Sequence, residues 1–171
     1  MEEFSIYDVH QQPTGRSGVR GRPLCPGEYR VVVTVLIFNS NKELLIQQRA
    51  GTKEHWPSLW DFTAGGQVLK NEVIHKGAER ELFEELGIEV NLSNHPVRLV
   101  CSFEEGWDHY YLLEKEIEID DLILQKEEVS RVKWVSETEY LNLLESGTFI
   151  PYIWADKIFD LYRSKSEYLN S

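Results

Sequence analysis

The sequence predicts an α/β fold, namely an α/β/α sandwich in which a mixed central sheet lies between helices. A nearly continuous run of β-branched and apolar residues at 29–38 predicts a central strand of that sheet. Apolar residues at positions 74, 78, 82 and 86 recur at helical spacing, so this segment is expected to form a helix with one buried face. Strand-like and helix-like segments alternate along the rest of the chain, which predicts helices on both faces of the sheet.

Shorter segments complete the predicted sheet and its helices. Further strands are expected at 43–48, 59–65, 97–104, 109–118 and 131–135. Ser136 and Glu139 form a capping box, which predicts a helix that ends near residue 145. A last helix is expected to follow Pro151 and to run to about residue 163, with a polar tail beyond it.

The length and composition indicate one domain over residues 1–171, because a chain of 171 residues that is 42% hydrophobic can bury a real core. Residues 1–28 are expected to form a strand and hairpin extension packed on this domain. The extension carries Arg16, Arg20 and Arg22 on an otherwise acidic chain. Two interpretations stay open: a solvated hairpin, or a basic arm that reaches over the site to hold a phosphate.

The net charge of −11 argues against nucleic acid as a partner, because phosphate backbones require a basic surface. It is compatible with a small phosphorylated substrate, whose charge a metal and a few basic side chains can meet. No apolar run is long enough to span a membrane and the start is acidic, so we expect a cytoplasmic enzyme without a membrane partner. Cys25 and Cys101 lack disulfide or zinc spacing and are expected to be reduced thiols.

Three glutamates of the predicted helix form a candidate metal site. At about 100° per residue, Glu81, Glu84 and Glu85 fall within one arc of the helix. Like charges at this spacing repel unless a cation lies between them. With no Cys or His on the arc, Mg²⁺ or Mn²⁺ fits better than Zn²⁺. The alternative is a solvated acidic helix, which is the usual role of such a run.

The spacing around these glutamates favours the metal site. Residues 66–88 follow the pattern Gly-x5-Glu-x7-Arg-Glu-Leu-x-Glu-Glu-x-Gly-Ile, which begins at Gly66 and continues through Glu72 and Arg80 to Gly87 and Ile88. This pattern resembles the signature of the Nudix hydrolase family, and the resemblance implies a Nudix-type α/β/α sandwich. Gly87 also fits the left-handed residue that ends a helix.

The resemblance also implies roles for the residues of the pattern. Glu81, Glu84 and Glu85 are implied as metal ligands, together with the backbone carbonyl of Gly66. Arg80 and Glu72 are implied to orient this cluster. Glu79 points to the other side of the predicted helix and is expected to be solvated surface.

The family chemistry implied by the resemblance is Mg²⁺-dependent hydrolysis of a nucleoside diphosphate linked to another group, by attack of water on phosphorus. Glu128 is a candidate general base or additional metal ligand, with Glu104 and Glu105 as rivals; a solvated acidic loop is the alternative.

Arg49, Lys53 and Trp56 are candidates for contact with the substrate, although each is equally compatible with plain surface. Trp60 and Phe62 are expected to pack in the core.

The layout of residues 7–65 is similar to the branch of the family that includes type 1 isopentenyl diphosphate isomerase. The catalytic cysteine and two histidine ligands implied by that branch fall at Gly65, Gln67 and Arg30, so the acid needed for isomerisation is missing. Three hypotheses therefore stand: a hydrolase, which we favour, an isomerase, and a non-catalytic nucleotide-binding module. The partner is a small diphosphate compound, its identity is open, and a homodimer is one possible assembly.

Overall fold

The computed structural model describes residues 2–164. Its strands are β1 (Glu3–Tyr7), β2 (Pro13–Val19), β3 (Arg30–Phe38), β4 (Leu44–Arg49), β5 (Trp60–Asp61), β6 (Ala64–Gln67), β7 (Leu99–Phe103), β8 (Gly106–Glu114) and β9 (Val129–Val135). Its helices are α1 (Ile74–Leu86), α2 (Glu137–Glu145) and α3 (Ile158–Arg163), with 3-10 turns at Ile119–Asp121 and Ala155–Lys157. The predicted tail beyond residue 164 lies outside the described residues.

Seven of these strands form one mixed sheet. Its path runs β5-β4-β3-β8-β7, with β6 paired to β3 and β9 paired to β4. Strands β3 and β8 are parallel from Arg30 opposite Gly106 to Phe38 opposite Glu114, and the other pairs are antiparallel. The β-branched run is therefore central in the sheet, as predicted.

Helices cover both faces of this sheet, which confirms the α/β/α sandwich. Ala78, Leu82 and Leu86 of α1 share one core cluster with Val33 and Val35 of β3. Residues of α2 and α3 share a second cluster with Leu36 and Phe38 of the same strand. Because successive residues of a strand point to opposite faces, β3 contributes to both layers of core. Among residues 2–164, no helix is both long and apolar enough to cross a membrane.

The strand predicted at 59–65 is wrong as one element, because the chain breaks at Phe62 and Thr63 into β5 and β6. The Thr63 hydroxyl donates to the carbonyl of Leu45 on β4 at 2.6 Å and accepts from the amide of Ile37 on β3 at 3.0 Å. This side chain thus bridges two strands that pair directly at one position. Beyond the bridge, β6 takes the edge of β3 and carries Gly65 and Gly66 to the start of the α1 loop.

The bounds of the strand predicted at 109–118 are also wrong, because β8 begins at Gly106 and ends at Glu114. A Cβ at Gly106 would lie 1.8 Å from the carbonyl oxygen of Arg30, so only glycine allows β8 to begin this close to β3. Asp108 therefore lies inside a strand.

The capping box at Ser136 is present, and α2 ends at Glu145 as expected. The last helix is shorter than predicted, because a 3-10 turn occupies Ala155–Lys157 before α3 begins.

The N-terminal hairpin formed by β1 and β2 docks on the main sheet and on the loop before α1. Tyr7 and Tyr29 exchange backbone hydrogen bonds of 2.8 and 3.0 Å, and Phe4 is buried with its ring close to Gly18 of β2. The amide of Lys70 donates to the carbonyl of Glu3, and the amide of Asn71 donates to the Ser5 hydroxyl. The division into a core domain and an extension stays a prediction.

Candidate active site

Helix α1 presents its carboxylates beside the sheet because its apolar stripe fixes its rotation. Ala78, Leu82 and Leu86 are completely buried, as the helical spacing predicted. The helix ends at Gly87, whose left-handed backbone (φ 71°) directs its amide back to the last turn. The buried stripe and the helix end therefore fix the rotation and the position of the acidic arc relative to β6.

Arg80 organises the carboxylates around it. Its Nε donates to Glu72 at 2.9 Å, and its Nη1 donates to Glu81 and Glu84, each at 2.9 Å. Its Nη2 donates to the backbone carbonyl of Gln67 at 2.9 Å. Burial lowers the pKa of Arg80, but the hydrogen bond with Glu72 and the charge of Glu81 outweigh it and raise the pKa. These contacts fit the orienting role expected for Arg80 and Glu72, which stays a prediction.

Glu85 is the most buried carboxylate of the cluster, with 6% of the residue exposed. It accepts hydrogen bonds from the Gln47 side chain at 2.8 Å and from the Gly65 amide at 3.4 Å. Burial, and then the negative charge of Glu81, raise the pKa of Glu85 well above its ordinary value. A buried pair of carboxylates is costly unless a cation compensates it, so this pair has the electrostatics of a cation site.

Gly66 lets the Glu81 carboxylate approach the backbone of β6. A Cβ at this position would lie 2.3 Å from one carboxylate oxygen of Glu81 and 2.7 Å from the other. The carboxylate and the Gly66 backbone therefore occupy one small region, and a larger residue at position 66 would displace the Glu81 side chain from its present position.

The cluster matches a hard divalent cation in chemistry and location. All of its donors are oxygen atoms, as Mg²⁺ and Mn²⁺ prefer. Within residues 2–164, no group of three or more His, Cys, Asp or Glu side chains is arranged in this structure so that it could hold a metal ion. The hydrogen bonds explain this, because Arg80 holds Glu81 and Glu84 while Gln47 holds Glu85. Binding a metal therefore requires rotation of side chains that are already in place.

Glu79 corrects one expectation, because its side chain is only 15% exposed and is not solvated surface. Its carboxylate accepts from the Leu92 amide at 2.8 Å and from Lys76 at 2.6 Å. The segment that follows α1 folds back over this side of the helix, an interaction between distant residues that helical spacing alone does not reveal.

A cleft of about 840 Å³ opens beside the carboxylate cluster. Its lining begins at Gly65 and Gly66 and includes side chains from four parts of the chain. Its polar and aromatic residues include Arg30, Arg49, Trp56, Asp61, Asp108, Tyr110, Tyr152 and Trp154. This volume lies within the range of small-molecule sites.

Two of the three predicted substrate contacts lie at this cleft. Arg49 donates to the His55 carbonyl at 3.1 Å and pairs with Asp61 at 3.4 Å. Trp56 is 50% exposed in the loop before β5 and has a left-handed backbone, with φ of 54°. Burial raises the pKa of Asp61. Arg49 and the Tyr152 hydroxyl, which donates to Asp61 at 3.0 Å, stabilise the carboxylate and partly offset this rise.

The third candidate, Lys53, does not line the cleft. It forms an ion pair with Glu128, and the carbonyl of Glu128 accepts from the Ala50 amide at 2.8 Å. The structure thus brings these two candidates together, and neither is among the residues that line the cleft. Of the rivals to Glu128, Glu105 pairs with Arg30 at 2.9 Å.

Sequence reasoning missed Asp108, which lies on β8 in the cleft. One of its carboxylate oxygens accepts from the Thr34 hydroxyl at 3.0 Å and from the Tyr110 hydroxyl. The other oxygen has no hydrogen-bond partner among the described residues. Burial raises the pKa of Asp108 to about 7. The period of two along a strand starting at Gly106 would have placed Asp108 and Tyr110 on one face.

The aromatic side of the cleft was missed as well. The rings of Tyr152 and Trp154 lie 5.6 Å apart at an angle of 19°, and both stack against buried Phe62. Tyr110 meets Trp154 edge to face at 4.3 Å. The sequence signal was weak, because Tyr152 and Trp154 fall in the segment predicted as part of the last helix. Phe62 is buried, as predicted.

Comparison with known proteins identifies related chains. The family model of the NUDIX domain matches residues 28–154. An uncharacterized Nudix hydrolase of Listeria monocytogenes is 43% identical over 161 residues, which cover 94% of this chain and 95% of that protein. Isopentenyl-diphosphate Delta-isomerase 2 of Photorhabdus laumondii is 27% identical over 174 residues, which cover 94% of this chain and 92% of that protein.

Solved structures share the fold. A crystal structure of a protein from Deinococcus radiodurans has a TM-score of 0.78 at 20% identity, covering 95% of this chain and 100% of that one. The NUDIX domain of a Shewanella oneidensis protein, solved in complex with ADP ribose, has a TM-score of 0.60 at 15% identity, covering 80% and 88%. At these identities the likeness shows the fold alone.

The positions that correspond to the isomerase cysteine and histidines have other roles in this chain. A Cβ at Gly65 would lie 2.7 Å from the backbone oxygen of Val33, so a larger residue does not fit there. The Gln67 side chain donates to the Val31 carbonyl at 3.0 Å and accepts from Arg30 at 3.3 Å. These residues connect strands and do not form a proton-transfer site.

Proposed function

The chain belongs to the Nudix family of pyrophosphohydrolases, and on this premise we propose that it uses Mg²⁺ to hydrolyse the diphosphate of a nucleoside diphosphate linked to another group. Water attacks a phosphorus atom of the diphosphate in this reaction. The observation that carries the proposal is the carboxylate cluster held by Arg80 against Gly66, at the end of a cleft large enough for such a substrate.

The residues that would hold the metal are Glu81, Glu84, Glu85 and the carbonyl of Gly66. Members of the family typically use divalent metals, and the oxygen donor set favours Mg²⁺, with Mn²⁺ as a close substitute. When bound, the metal would neutralise charge on the phosphoryl oxygens and lower the pKa of the attacking water. Arg80 holds Glu81 and Glu84, and Gln47 holds Glu85, so these hydrogen bonds would have to rearrange for the metal to bind.

Basic residues of the chain supply further charge for the diphosphate. Arg49 lines the cleft and is held by Asp61, so its guanidinium is already oriented. Arg20 of the N-terminal hairpin is the second candidate. Its hydrogen bond with Glu2 is the main cause of its raised pKa, and the negative charges of Glu128 and Glu81 add to the rise. The hairpin therefore places a cation close enough to interact electrostatically with the carboxylate cluster.

Glu128 is the candidate general base, together with a possible role as a metal ligand. Its ion pair with Lys53 and the hydrogen bond from the Ala50 amide to its carbonyl hold it beside the loop that follows β4. For Glu128 to reach a water at the metal, this ion pair must open. Replacing Lys53 therefore provides a direct probe of the assignment.

The nucleoside part of the proposal is supported by the shape and chemistry of the cleft, whose aromatic side chains can stack against a base. It is also supported by the ADP ribose in the Shewanella oneidensis structure. The isomerase alternative has a relative at 27% identity in its favour, but the chain lacks the acid that this reaction needs. The cytoplasmic location and the homodimer stay predictions.

A panel of diphosphate compounds, incubated with Mg²⁺ and assayed for the two phosphomonoester products of each cleavage, tests this proposal. We expect hydrolysis by the wild type and a loss of at least about 100-fold in kcat for Glu85→Gln. Glu145→Gln changes an exposed carboxylate at the end of α2 and is the matched control. An unchanged rate in Glu85→Gln at saturating Mg²⁺ refutes the metal assignment.

Two other outcomes would favour the alternatives. Formation of dimethylallyl diphosphate from isopentenyl diphosphate would favour an isomerase. Tight nucleotide binding without turnover would favour a non-catalytic module.

A further inference from the structure

Asp108 is a carboxylate of the cleft with unused hydrogen-bonding capacity. Thr34 and Tyr110 both donate to the same carboxylate oxygen, which leaves the other oxygen without a partner among the described residues. An unsatisfied acceptor away from water is costly, and the cost is larger for a charged group. A ligand that brings a donor to this oxygen would recover that cost.

The surroundings of Asp108 suit a flat ring. Tyr152 and Trp154 line the same cleft with their rings within 19° of parallel. Tyr110, which donates to Asp108, also meets Trp154 edge to face. The Asp108 carboxylate thus lies beside the stacked rings of Tyr152 and Trp154. Such an arrangement can bind a heteroaromatic ring by stacking on its face and by accepting a hydrogen bond from its edge.

We propose that Asp108 selects substrates whose nucleobase carries an exocyclic amino group, which donates to its free oxygen while the base stacks near Tyr152 and Trp154. The inference rests on the proposed function and names the specificity of the same cleft. A base with a carbonyl at that position would bring its oxygen against the free oxygen of Asp108, and neither acceptor would be paired. A site built to receive a donor strongly rejects an analogue that lacks it.

A cationic ligand is the main competitor for an aromatic and acidic pocket. Two arginines, Arg30 and Arg49, line the same cleft, and Arg49 already compensates Asp61. A permanent cation would have to compete with both guanidinium groups, which already pair with Glu105 and Asp61. A neutral amino group on a base would not, and the phosphates attached to that base would be attracted.

Matched substrate pairs test the inference. Each pair shares its diphosphate and leaving group and differs in the base: cytosine against uracil, and adenine against hypoxanthine. We expect wild-type kcat/KM to favour the amino-bearing member by about tenfold or more, equivalent to about 1.4 kcal/mol. Asp108→Asn can donate where the aspartate only accepts, so the preference should narrow to near unity or reverse. Asp120→Asn, an exposed change of the same kind, should keep the wild-type ratio.

The failures are distinguishable. If the wild type hydrolyses none of the compounds, the proposed function fails. If it hydrolyses both members of each pair equally well, or if Asp108→Asn keeps the wild-type ratio, the selection by Asp108 is wrong and the hydrolase stands.

The pH dependence of the wild-type ratio gives a second measurement that needs no variant. Because the pKa of Asp108 is raised to about 7, it is a carboxylate above this pH and a donor below it. The amino preference should therefore rise between pH 6 and pH 8, and a flat ratio would overturn the inference. The titratable or charged groups around Asp108 are Arg30, Asp61, Cys101, Tyr110 and Tyr152. Both substrates of a pair use the same metal site, so its titration cancels in the ratio.

Discussion

Replacing Asp108 by asparagine should stabilise the protein, and the gain should depend on pH. In the folded protein the pKa of Asp108 is raised from 3.8 to about 7, because burial disfavours its charged form. An asparagine carries no charge, and its amide oxygen can still accept from the Thr34 and Tyr110 hydroxyls that Asp108 uses now. The substitution therefore removes a cost of ionisation and keeps the local hydrogen bonds.

The magnitude follows from the linkage between proton binding and folding. Between pH 4 and pH 7 the folded state holds a proton on Asp108 that the unfolded state has lost, so wild-type stability falls as the pH rises. The slope is about 1.4 kcal/mol per pH unit. Relative to the wild type, Asp108→Asn should gain about 2 kcal/mol in unfolding free energy between pH 5.5 and pH 7. Above about pH 7.5 the difference should be constant.

Urea unfolding of both proteins without added metal, at several pH values from 5.5 to 8.5, measures this difference. Asp120→Asn removes an exposed carboxylate and should show no such dependence. A difference between Asp108→Asn and the wild type that does not change with pH would refute the argument that burial holds the proton on Asp108.

Two further substitutions probe the metal site and the hairpin. Gly66→Ala would place a Cβ 2.3 Å from a Glu81 carboxylate oxygen. Because the Glu81 side chain can rotate away, we expect a thermal midpoint near the wild-type value. The displaced carboxylate should raise the Mg²⁺ concentration for half-maximal activity at least about tenfold. Calorimetric titration with Mg²⁺ checks it, and unchanged affinity would contradict the shared position of Gly66 and Glu81. Arg20→Ala should raise KM several-fold with little change in kcat, since Arg20 lies in the field of the carboxylate cluster. Arg22→Ala, on the exposed turn of the same chain segment, is the control, and equal kinetics for the two variants would favour a purely solvated hairpin.

Local patterns predicted those parts of the protein that local interactions decide. The β-branched run of β3, the stripe of Ala78, Leu82 and Leu86, and the left-handed Gly87 all follow from spacing along one element. The capping box at Ser136 has the same character, because its partners are three residues apart.

Errors in the predicted fold arose where distant strands interact. The Thr63 hydroxyl bridges β3 and β4, so the chain breaks between β5 and β6 although its residues are compatible with one strand. Gly106 starts β8 early because it lies against Arg30, more than seventy positions away in the chain. Such contacts have no signature in a short window of sequence.

For the candidate site, the division is similar. The spacing of Glu81, Glu84 and Glu85 predicted carboxylates on one arc, and Arg80 indeed contacts two of them. The assignments of Glu128 and Lys53 show what spacing does not reveal, since these two side chains pair with each other away from the cleft. The specificity that we propose for the site, in contrast, depends on residues that no motif marked.

The order of residues along the chain by itself determined the family, the acidic arc of α1 and the two-sided sandwich, because each is encoded by a period or a short motif. Tertiary structure alone decided which side chains face the cleft, since Asp61, Asp108, Tyr152 and Trp154 come from three separate segments. The hydrogen bonds and raised pKa values of Asp61, Asp108 and Tyr152 arise only when the fold removes these groups from water and places them side by side.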